Sequence, residues 1–208
     1  MRYLKRCGLR GVSMRELGRA MSRGSTKGLV GLTFDDGDEG FLHTVVPMLE
    51  RFGFSATVFV VAGLLGEENI WEFAYEPRPR MRILNAEELH DVSERGMEVG
   101  SHGMTHARLL NLEPKRLSQE VSGSHRVLSK ILGEAVEGFC YPYGSLDRAA
   151  IKAVRCAGYT YACGWKVHFE HSFYDLPRIP VSEKDNILRF AAKLEIYPQY
   201  ARFTSNFS

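Results

Sequence analysis

Two adjacent carboxylates follow a short apolar run near the start of the chain. The run Gly28 to Leu32 is typical of a buried strand, and Asp35 and Asp36 come just after it, in Thr-Phe-Asp-Asp-Gly. Buried carboxylates are costly unless a metal ion, a cation or hydrogen bonds compensate them. The carboxyl ends of strands are also where α/β enzymes place their chemistry. The pair therefore indicates a catalytic or metal-binding site, and the alternative is a solvated Asp-Gly turn.

Two histidines four positions apart provide further ligand-type side chains. His102 and His106 lie in Ser-His-Gly-Met-Thr-His, and this spacing predicts both imidazoles on one face of a helical turn. Imidazole nitrogen and carboxylate oxygen together suit zinc and other late first-row ions. One of the two aspartates can complete such a ligand set while the other accepts a proton from water. The alternative is a pair of unrelated surface or core histidines.

Aromatic residues supply a third candidate feature. Tyr141-Pro142-Tyr143-Gly144 follows an apolar run and is typical of a rigid turn. It can form a groove wall for a sugar ring, with a backbone N–H directed at an oxyanion, or it can be an ordinary loop. Trp71, Phe73 and Tyr75 lie in an irregular segment, and they indicate either a stacking platform or local packing under a long loop.

The elements that must position these residues alternate between strands and helices. The predicted strands are 28–34, 55–61, 97–100, 136–141, 159–163 and 176–181. The predicted helices are 41–52, 86–95, 114–132, 147–157 and 186–194, preceded by amphipathic turns within 1–22. Repeated strand–helix units predict a parallel sheet, and six or seven of them favour a closed or nearly closed (β/α) barrel. All three motifs follow strands, so we expect them to share one face of that sheet.

Bulk properties narrow the class of protein. A chain of 208 residues suits a single domain over 1–208. The net charge of +2 gives no reason to expect a nucleic-acid partner, and no run is long enough to span a bilayer. No apolar segment follows the basic start, so we expect a cytoplasmic protein without a signal peptide, although a shortened gene product is an alternative. Four cysteines without a Cys-x-x-Cys pair favour reduced thiols.

The three motifs together identify a resemblance. Thr-Phe-Asp-Asp-Gly, Ser-His-Gly-Met-Thr-His and Phe-Cys-Tyr-Pro-Tyr-Gly resemble the first three motifs of the polysaccharide deacetylases of carbohydrate esterase family 4, and the likeness spans about 27–194. The resemblance implies an α/β fold, a distorted (β/α)7 barrel. It also implies a divalent metal, most often zinc, and hydrolysis of the N-acetyl group of an amino sugar in a glycan substrate.

The resemblance also implies a role for individual residues. It places the catalytic base at Asp35 and the metal ligands at Asp36, His102 and His106. It places the aromatic residue whose backbone binds the oxyanion at Tyr143. We further expect substrate contacts from the same turn, at Tyr141 and Pro142.

The chain departs from the family pattern in its later motifs, as does a subgroup from exopolysaccharide gene clusters that it resembles. Cys140 occupies the place of an arginine that orients the base, and Arg178 is a candidate substitute, unless it forms a surface ion pair. The late tryptophan–aspartate motif is not clear, although Gly164-Trp165 and Asp175 lie in its region. No Leu-x-His closes the chain, because no histidine follows His171.

The missing C-terminal histidine leaves the general acid open. His168 and His171 are candidates for the acid. The alternative is that both are simply exposed loop histidines, in which case a water molecule or a substrate hydroxyl could serve as the acid. Two other functions also stay open. One is a related hydrolase that cleaves a small amide or a cyclic ureide, and the other is a glycan-binding module that keeps the metal without turnover.

Overall fold

The strands form the frame of the protein. The structure is a computed structural model that describes residues 1–71, 80–165 and 172–204, with side chains as far as 195. In these ranges the strands are β1 (Arg10–Val12), β2 (Leu29–Gly31), β3 (Thr33–Phe34), β4 (Thr57–Val60), β5 (Glu98–Ser101), β6 (Gly138–Cys140), β7 (Tyr161–Gly164) and β8 (Leu176–Pro177).

The helices alternate with these strands. They are α1 (Arg2–Arg6), α2 (Met14–Ser22), α3 (Val46–Phe52), α4 (Ala86–Glu94), α5 (Pro114–Ser118), α6 (Ser124–Leu132), α7 (Arg148–Cys156) and α8 (Ile187–Thr204). Turns of π-helix at Phe41–Val45 and Gln119–Gly123 lead into α3 and α6, and short 3-10 turns cover Ala62–Leu64 and Pro142–Gly144. Among the described helices, none combines the length and the apolar character needed to cross a membrane.

The eight strands named above pair with one another in parallel. Strands β3 to β8 form one sheet in chain order, and β1 pairs with β2. Leu32 joins the two sheets, because its N–H donates to the Val12 carbonyl and its carbonyl accepts from the Thr57 N–H, each at 2.9 Å. The result is a parallel sheet curled into part of a barrel with helices, which confirms the predicted distorted (β/α) barrel architecture.

Side-chain alternation determines what faces the barrel interior. Successive residues of a strand point to opposite faces, so Glu98, Gly100 and His102 line the same side of the chain through β5. Gly100 leaves room for a large neighbour, since a Cβ there would lie 2.5 Å from the ring of Phe59. The inward-facing side chains of β5 therefore include the buried carboxylate of Glu98 at its start, and the imidazole of His102 lies just beyond its end.

Local contacts define the ends of several helices. Asn85 and Glu88 form a capping box at the start of α4, with each side chain bonded to the other's backbone N–H. Asp147 caps α7 by accepting from the Ala150 N–H. Gly53 ends α3 in the left-handed conformation, at φ 66°.

Other elements differ from the predictions. Strand β1 lies within the region predicted as amphipathic turns, and the last strand covers only Leu176–Pro177, not 176–181. The final helix extends to Thr204. The predicted helix 41–52 begins as a π-helical turn, and Pro47 at the start of α3 has no N–H with which to continue a regular α-helical ladder.

Candidate metal centre

Three ligand-type side chains converge just beyond the carboxyl ends of β3 and β5. Asp36 Oδ1 lies 3.6 Å from His102 Nε2 and 3.3 Å from His106 Nε2. The ligand atoms of all three residues lie within 4.8 Å of one another, and both imidazoles are buried. One oxygen and two nitrogens at this spacing suit a single divalent ion such as zinc.

The tautomer of His102 follows from its hydrogen bond. His102 Nδ1 lies 2.8 Å from the carbonyl oxygen of Cys140, and because a carbonyl only accepts, Nδ1 carries the proton. Burial lowers the pKa of His102 and favours neutral imidazole, while the nearby Asp35 and Asp36 act in the opposite direction.

Neutral His102 leaves two electron-rich atoms facing each other. Its Nε2 then presents a lone pair to the Asp36 carboxylate 3.6 Å away. Two acceptors at this distance repel unless a cation or a proton lies between them, so the donor set fits a bound metal ion. The bond from Nδ1 to a backbone carbonyl is also the outer contact that ordinarily orients a metal-ligating histidine.

The backbone of the site adopts conformations that side-chain-bearing residues seldom take. Asp36, His106 and Tyr143 have φ values of 70°, 60° and 58°, in the left-handed region. His102 and His106 therefore do not lie on a helical turn, and the prediction of that turn is wrong. A loop with a left-handed residue at His106 brings the two imidazoles together.

Aromatic rings surround His106. The ring centroid of Trp71 lies 4.6 Å and that of Tyr143 lies 4.5 Å from the His106 ring. His106 Nδ1 is buried and has no hydrogen-bond partner among the described residues. Trp71 thus lies beside the site and also packs against the core, so the stacking platform stays a prediction, while Phe73 and Tyr75 fall outside the described residues.

Asp35 is held by Arg178 from the far end of the chain. The two terminal guanidinium nitrogens of Arg178, Nη1 and Nη2, lie 2.6 Å and 2.8 Å from the two carboxylate oxygens of Asp35. Burial would raise the pKa of Asp35, but the charge and hydrogen bonds of Arg178 outweigh it and hold the pKa at about 2. The Arg178 side chain is only 13% exposed, so this is not a surface ion pair.

Cys140 occupies the place of the expected arginine without taking its role. Its Sγ lies 3.8 Å from Asp35 Oδ1, and Asp35, His102 and Cys140 form a second group of clustered ligand-type atoms. Burial raises the pKa of the Cys140 thiol well above its usual range. A protonated thiol is a poor metal ligand, so Asp36, His102 and His106 are the better set.

Only part of the aromatic turn after β6 lies at the site. Tyr143 lies beside His106, and its ring carries the guanidinium of Arg108 at 4.1 Å from the centroid. The Tyr141 ring instead lies in the core, where its hydroxyl donates to the Tyr174 carbonyl at 2.9 Å. Pro142 is also buried. The expectation that Tyr141 and Pro142 contact substrate directly finds no support in this placement.

One buried residue beside the site, Glu120, was not found by the sequence reasoning. Glu120 hydrogen-bonds the loop that carries both histidines, yet it lies in a predicted amphipathic helix, where a glutamate is ordinarily solvated. No local sequence signal distinguishes it. The candidate acids His168 and His171 lie outside the described residues.

Comparison with known proteins identifies the family. The family model described as polysaccharide deacetylase matches residues 22–162. The chain therefore belongs to the polysaccharide deacetylase family. A poly-beta-1,6-N-acetyl-D-glucosamine N-deacetylase of Staphylococcus aureus is 24% identical over 166 residues, which cover 74% of this chain and 54% of that protein. The chain spans about half the length of the curated relatives that it matches first.

Solved structures share the fold. The Streptococcus pyogenes deacetylase PplD, in complex with acetate, superposes with a TM-score of 0.75 at 22% identity, covering 91% of this chain and 81% of that one. IcaB from Ammonifex degensii gives 0.74 at 22% identity, covering 98% and 85%. These likenesses confirm the deacetylase-type barrel predicted from the sequence.

Proposed function

We propose that this protein is a metal-dependent hydrolase that removes N-acetyl groups from an amino-sugar glycan. The observation that carries the proposal is the convergence of Asp36, His102 and His106 beside an aspartate that is held in a bidentate ion pair. Membership of the polysaccharide deacetylase family supports a glycan substrate. The N-deacetylase activity named for the staphylococcal relative supports the class of bond.

The ligand set defines what the site can hold. Asp36, His102 and His106 would bind one divalent ion, and zinc fits their oxygen and nitrogen donors best. Such an ion supplies Lewis-acid chemistry, because it acidifies water and polarises an acetamide carbonyl. The neutral imidazole of His102, with its proton fixed on Nδ1 by the Cys140 carbonyl, keeps Nε2 available as a donor.

Asp35 is the proposed base. With a pKa of about 2 it is ionised at any pH near neutral, so it can accept a proton from the attacking water. The bidentate contact with Arg178 fixes the plane of the Asp35 carboxylate. The accepting oxygen is therefore already oriented before the reaction begins. In this role Arg178 takes over from the arginine that Cys140 replaces.

The groove wall is proposed to act on the acetyl group and the sugar. The backbone N–H of Tyr143 would donate to the carbonyl oxygen of the acetamide, which becomes an oxyanion as water adds to the carbonyl carbon. The rings of Tyr143 and Trp71, both of which contact the His106 ring, offer surfaces on which a sugar ring can stack. The guanidinium of Arg108 also contacts the Tyr143 ring and helps to hold it in place.

The departing amine requires a proton donor with a pKa near the working pH, which favours histidine. His168 and His171 remain the candidates from the sequence. The pH profile of kcat for His168→Ala and His171→Ala decides between them, since loss of the alkaline limb identifies the acid. Unchanged profiles in both variants would assign this step to solvent or to a substrate hydroxyl.

The deciding experiment measures acetate released from N-acetylglucosamine oligomers. We expect release that stops with a chelator and returns with zinc. His106→Ala should lose stoichiometric zinc and activity, whereas the matched control His125→Ala, on α6, should keep both. Glycan binding without acetate release would support a binding module, and release of ammonia or amine only from small amides or ureides would support the related hydrolase. Full zinc occupancy in His106→Ala would remove His106 from the site.

A further inference from the structure

The carboxylate of Glu120 is directed at the loop between the two histidines. Its Oε2 accepts from the backbone N–H groups of Met104 and Thr105, each at 2.9 Å, and its Oε1 accepts from the Thr105 hydroxyl at 2.5 Å. Glu120 is 3% exposed. A buried carboxylate with three donors from one short loop restrains that loop more than any single backbone bond would.

The same loop is also held by backbone contacts. The Ala62 and Gly63 N–H groups donate to the carbonyls of Gly103 and Met104, each at 2.9 Å. Gly63 allows this approach, because a Cβ there would collide with the Met104 carbonyl. The loop is therefore held both by the 3-10 turn that follows β4 and by the Glu120 side chain.

These contacts matter because the loop ends in a conformation that the chain does not favour. His106 has φ 60°, and a residue with a Cβ adopts this left-handed conformation at a cost in free energy that its surroundings must compensate. The π-helical turn Gln119–Gly123 carries Glu120, and such turns are often found at functional sites. Ser124 reinforces the turn, because its hydroxyl donates to the Glu120 carbonyl at 2.7 Å and lies 2.9 Å from the Ser101 hydroxyl.

We propose that Glu120 is a positioning residue that sets the affinity of the metal site by holding His102 and His106 in register with Asp36. This inference rests on the metal site proposed above. It gives Glu120 a role outside the ligand set, since the outer partners of metal ligands ordinarily change affinity 10-fold to 100-fold when removed. No described contact joins Glu120 to the three ligand side chains themselves, so the effect passes through the loop backbone.

The chain contains a matched control at the opposite end of the barrel. Glu98 is also a buried carboxylate, at 4% exposure, and it accepts from a threonine hydroxyl, a backbone N–H and a further hydroxyl. These donors are Thr57 at 2.6 Å, Arg15 at 2.7 Å and Tyr161 at 2.8 Å. Removal of Glu98 should destabilise the fold as much as removal of Glu120, but without reaching the histidine loop.

The test measures zinc affinity by competition with a chromophoric chelator, with the urea unfolding midpoint recorded for every variant. Glu120→Ala should bind zinc about 10-fold to 100-fold more weakly than the parent chain. Glu120→Gln should stay within about three-fold, because its carbonyl oxygen can still serve the two N–H groups and its amide can donate to the Thr105 hydroxyl. Glu98→Ala should lower the midpoint and leave zinc affinity unchanged.

A milder pair of variants covers the case in which Glu120→Ala does not fold. Thr105 is exposed, so Thr105→Val removes one bond to Glu120 at little risk to the fold, and zinc should bind about five-fold more weakly. Thr57→Val removes the equivalent bond to Glu98 and should leave affinity unchanged. Parental zinc affinity in Glu120→Ala, or in Thr105→Val where the former is unfolded, would overturn the proposal. Equal weakening in the Glu98 series would also overturn it.

The same measurements separate this inference from the proposed function. Failure of the parent chain to bind zinc would refute the metal site itself. Zinc binding that depends on His106 but not on Glu120 would leave the proposed function intact and refute only the positioning role.

Discussion

Arg178 and Asp35 form a bidentate ion pair across 143 positions of sequence, with nitrogen–oxygen distances of 2.6 Å and 2.8 Å. The guanidinium also contacts the Thr33 hydroxyl at 3.2 Å and the Gly164 carbonyl at 3.4 Å. These contacts bring the segment after β8 onto β3, at the side where the curled sheet is not closed by strand pairing. The pair therefore links the last strand of the barrel to the proposed catalytic carboxylate.

Arg178→Lys tests whether the geometry of this pair matters beyond its charge. Lysine keeps the positive charge but cannot offer two parallel N–H donors, and misplacing a catalytic group can cost about 100-fold in rate. We expect kcat for acetate release to fall on that scale while zinc stoichiometry is retained. Arg95→Lys is the control, because Arg95 forms a similar bidentate pair with Glu50 on the surface. Equal rates in the two variants would argue against a positioning role for Arg178.

Asp35→Asn separates the proposed base from the adjacent ligand. The amide cannot accept the proton from water, so the rate should fall by about 10²–10⁴ while zinc still binds. Asp36→Asn should instead lose zinc, because it replaces the charged carboxylate of the ligand set with a neutral amide, which is a much weaker metal ligand. Elemental analysis and initial rates of both variants test the assignment. The unfolding midpoint of Asp35→Asn shows whether loss of the ion pair with Arg178 destabilises the fold. Near-normal turnover by Asp35→Asn would refute the assignment.

Tyr143→Gly asks whether the backbone or the ring of Tyr143 acts on substrate. Tyr143 has φ 58°, a conformation that glycine adopts without strain, so the backbone N–H should keep its place. If only the N–H acts, kcat should fall less than about 10-fold, while loss of a stacking ring should raise KM. A fall in kcat of about 100-fold or more, at unchanged zinc occupancy, would show that the side chain takes part in the chemical step.

The free energy of unfolding should decrease as the pH rises above about 9. Burial raises the pKa of Cys163 and of Tyr159 to about 12 each, above the values of about 8.5 and 10 for unfolded chains. A raised folded pKa contributes stability that is complete below the unfolded pKa and is lost as the pH rises through the folded one. The free energy of unfolding should therefore fall progressively from about pH 9 towards pH 12.

Cys163→Ala provides the check on this alkaline loss. Between pH 9 and pH 10 the thiols titrate in the unfolded chain before the tyrosines do, so the variant should show a shallower slope, by up to about 1.4 kcal/mol per pH unit. The slope should not vanish, because burial also raises the pKa of the Cys140 thiol. Urea unfolding at several pH values measures it, and identical slopes for variant and parent would contradict the expectation.

The order of elements was predictable because it follows from local patterns. Apolar runs, Asn85 and Asp147 as caps and Gly53 as a terminator are signals carried by neighbouring residues. Each of the three motifs follows a strand of the predicted parallel sheet, so their shared face also followed from the sequence. The architecture was therefore accessible without knowledge of any distant contact.

The details of the site were less accessible, because they depend on tertiary contacts. The left-handed conformations of Asp36 and His106 arise only where the loops are fixed by distant groups, and helical spacing predicted the wrong geometry for the histidines. The sequence could not show whether Arg178 forms a surface ion pair or binds Asp35, because Asp35 lies 143 positions away. Burial of the Tyr141 ring likewise depends on the Tyr174 segment.

The position of β1 bears on where this domain can be cut. The family model begins at residue 22, yet β1 covers the outer edge of β2, and Val12, Met14 and Leu17 pack against Phe59 and Tyr161 within the barrel. A fragment trimmed to residues 22–162 would expose an unpaired strand edge, open this end of the core and discard the arginine that pairs with Asp35. Uncovered strand edges are templates for aggregation, so recombinant work should keep both flanks of the family-matching region.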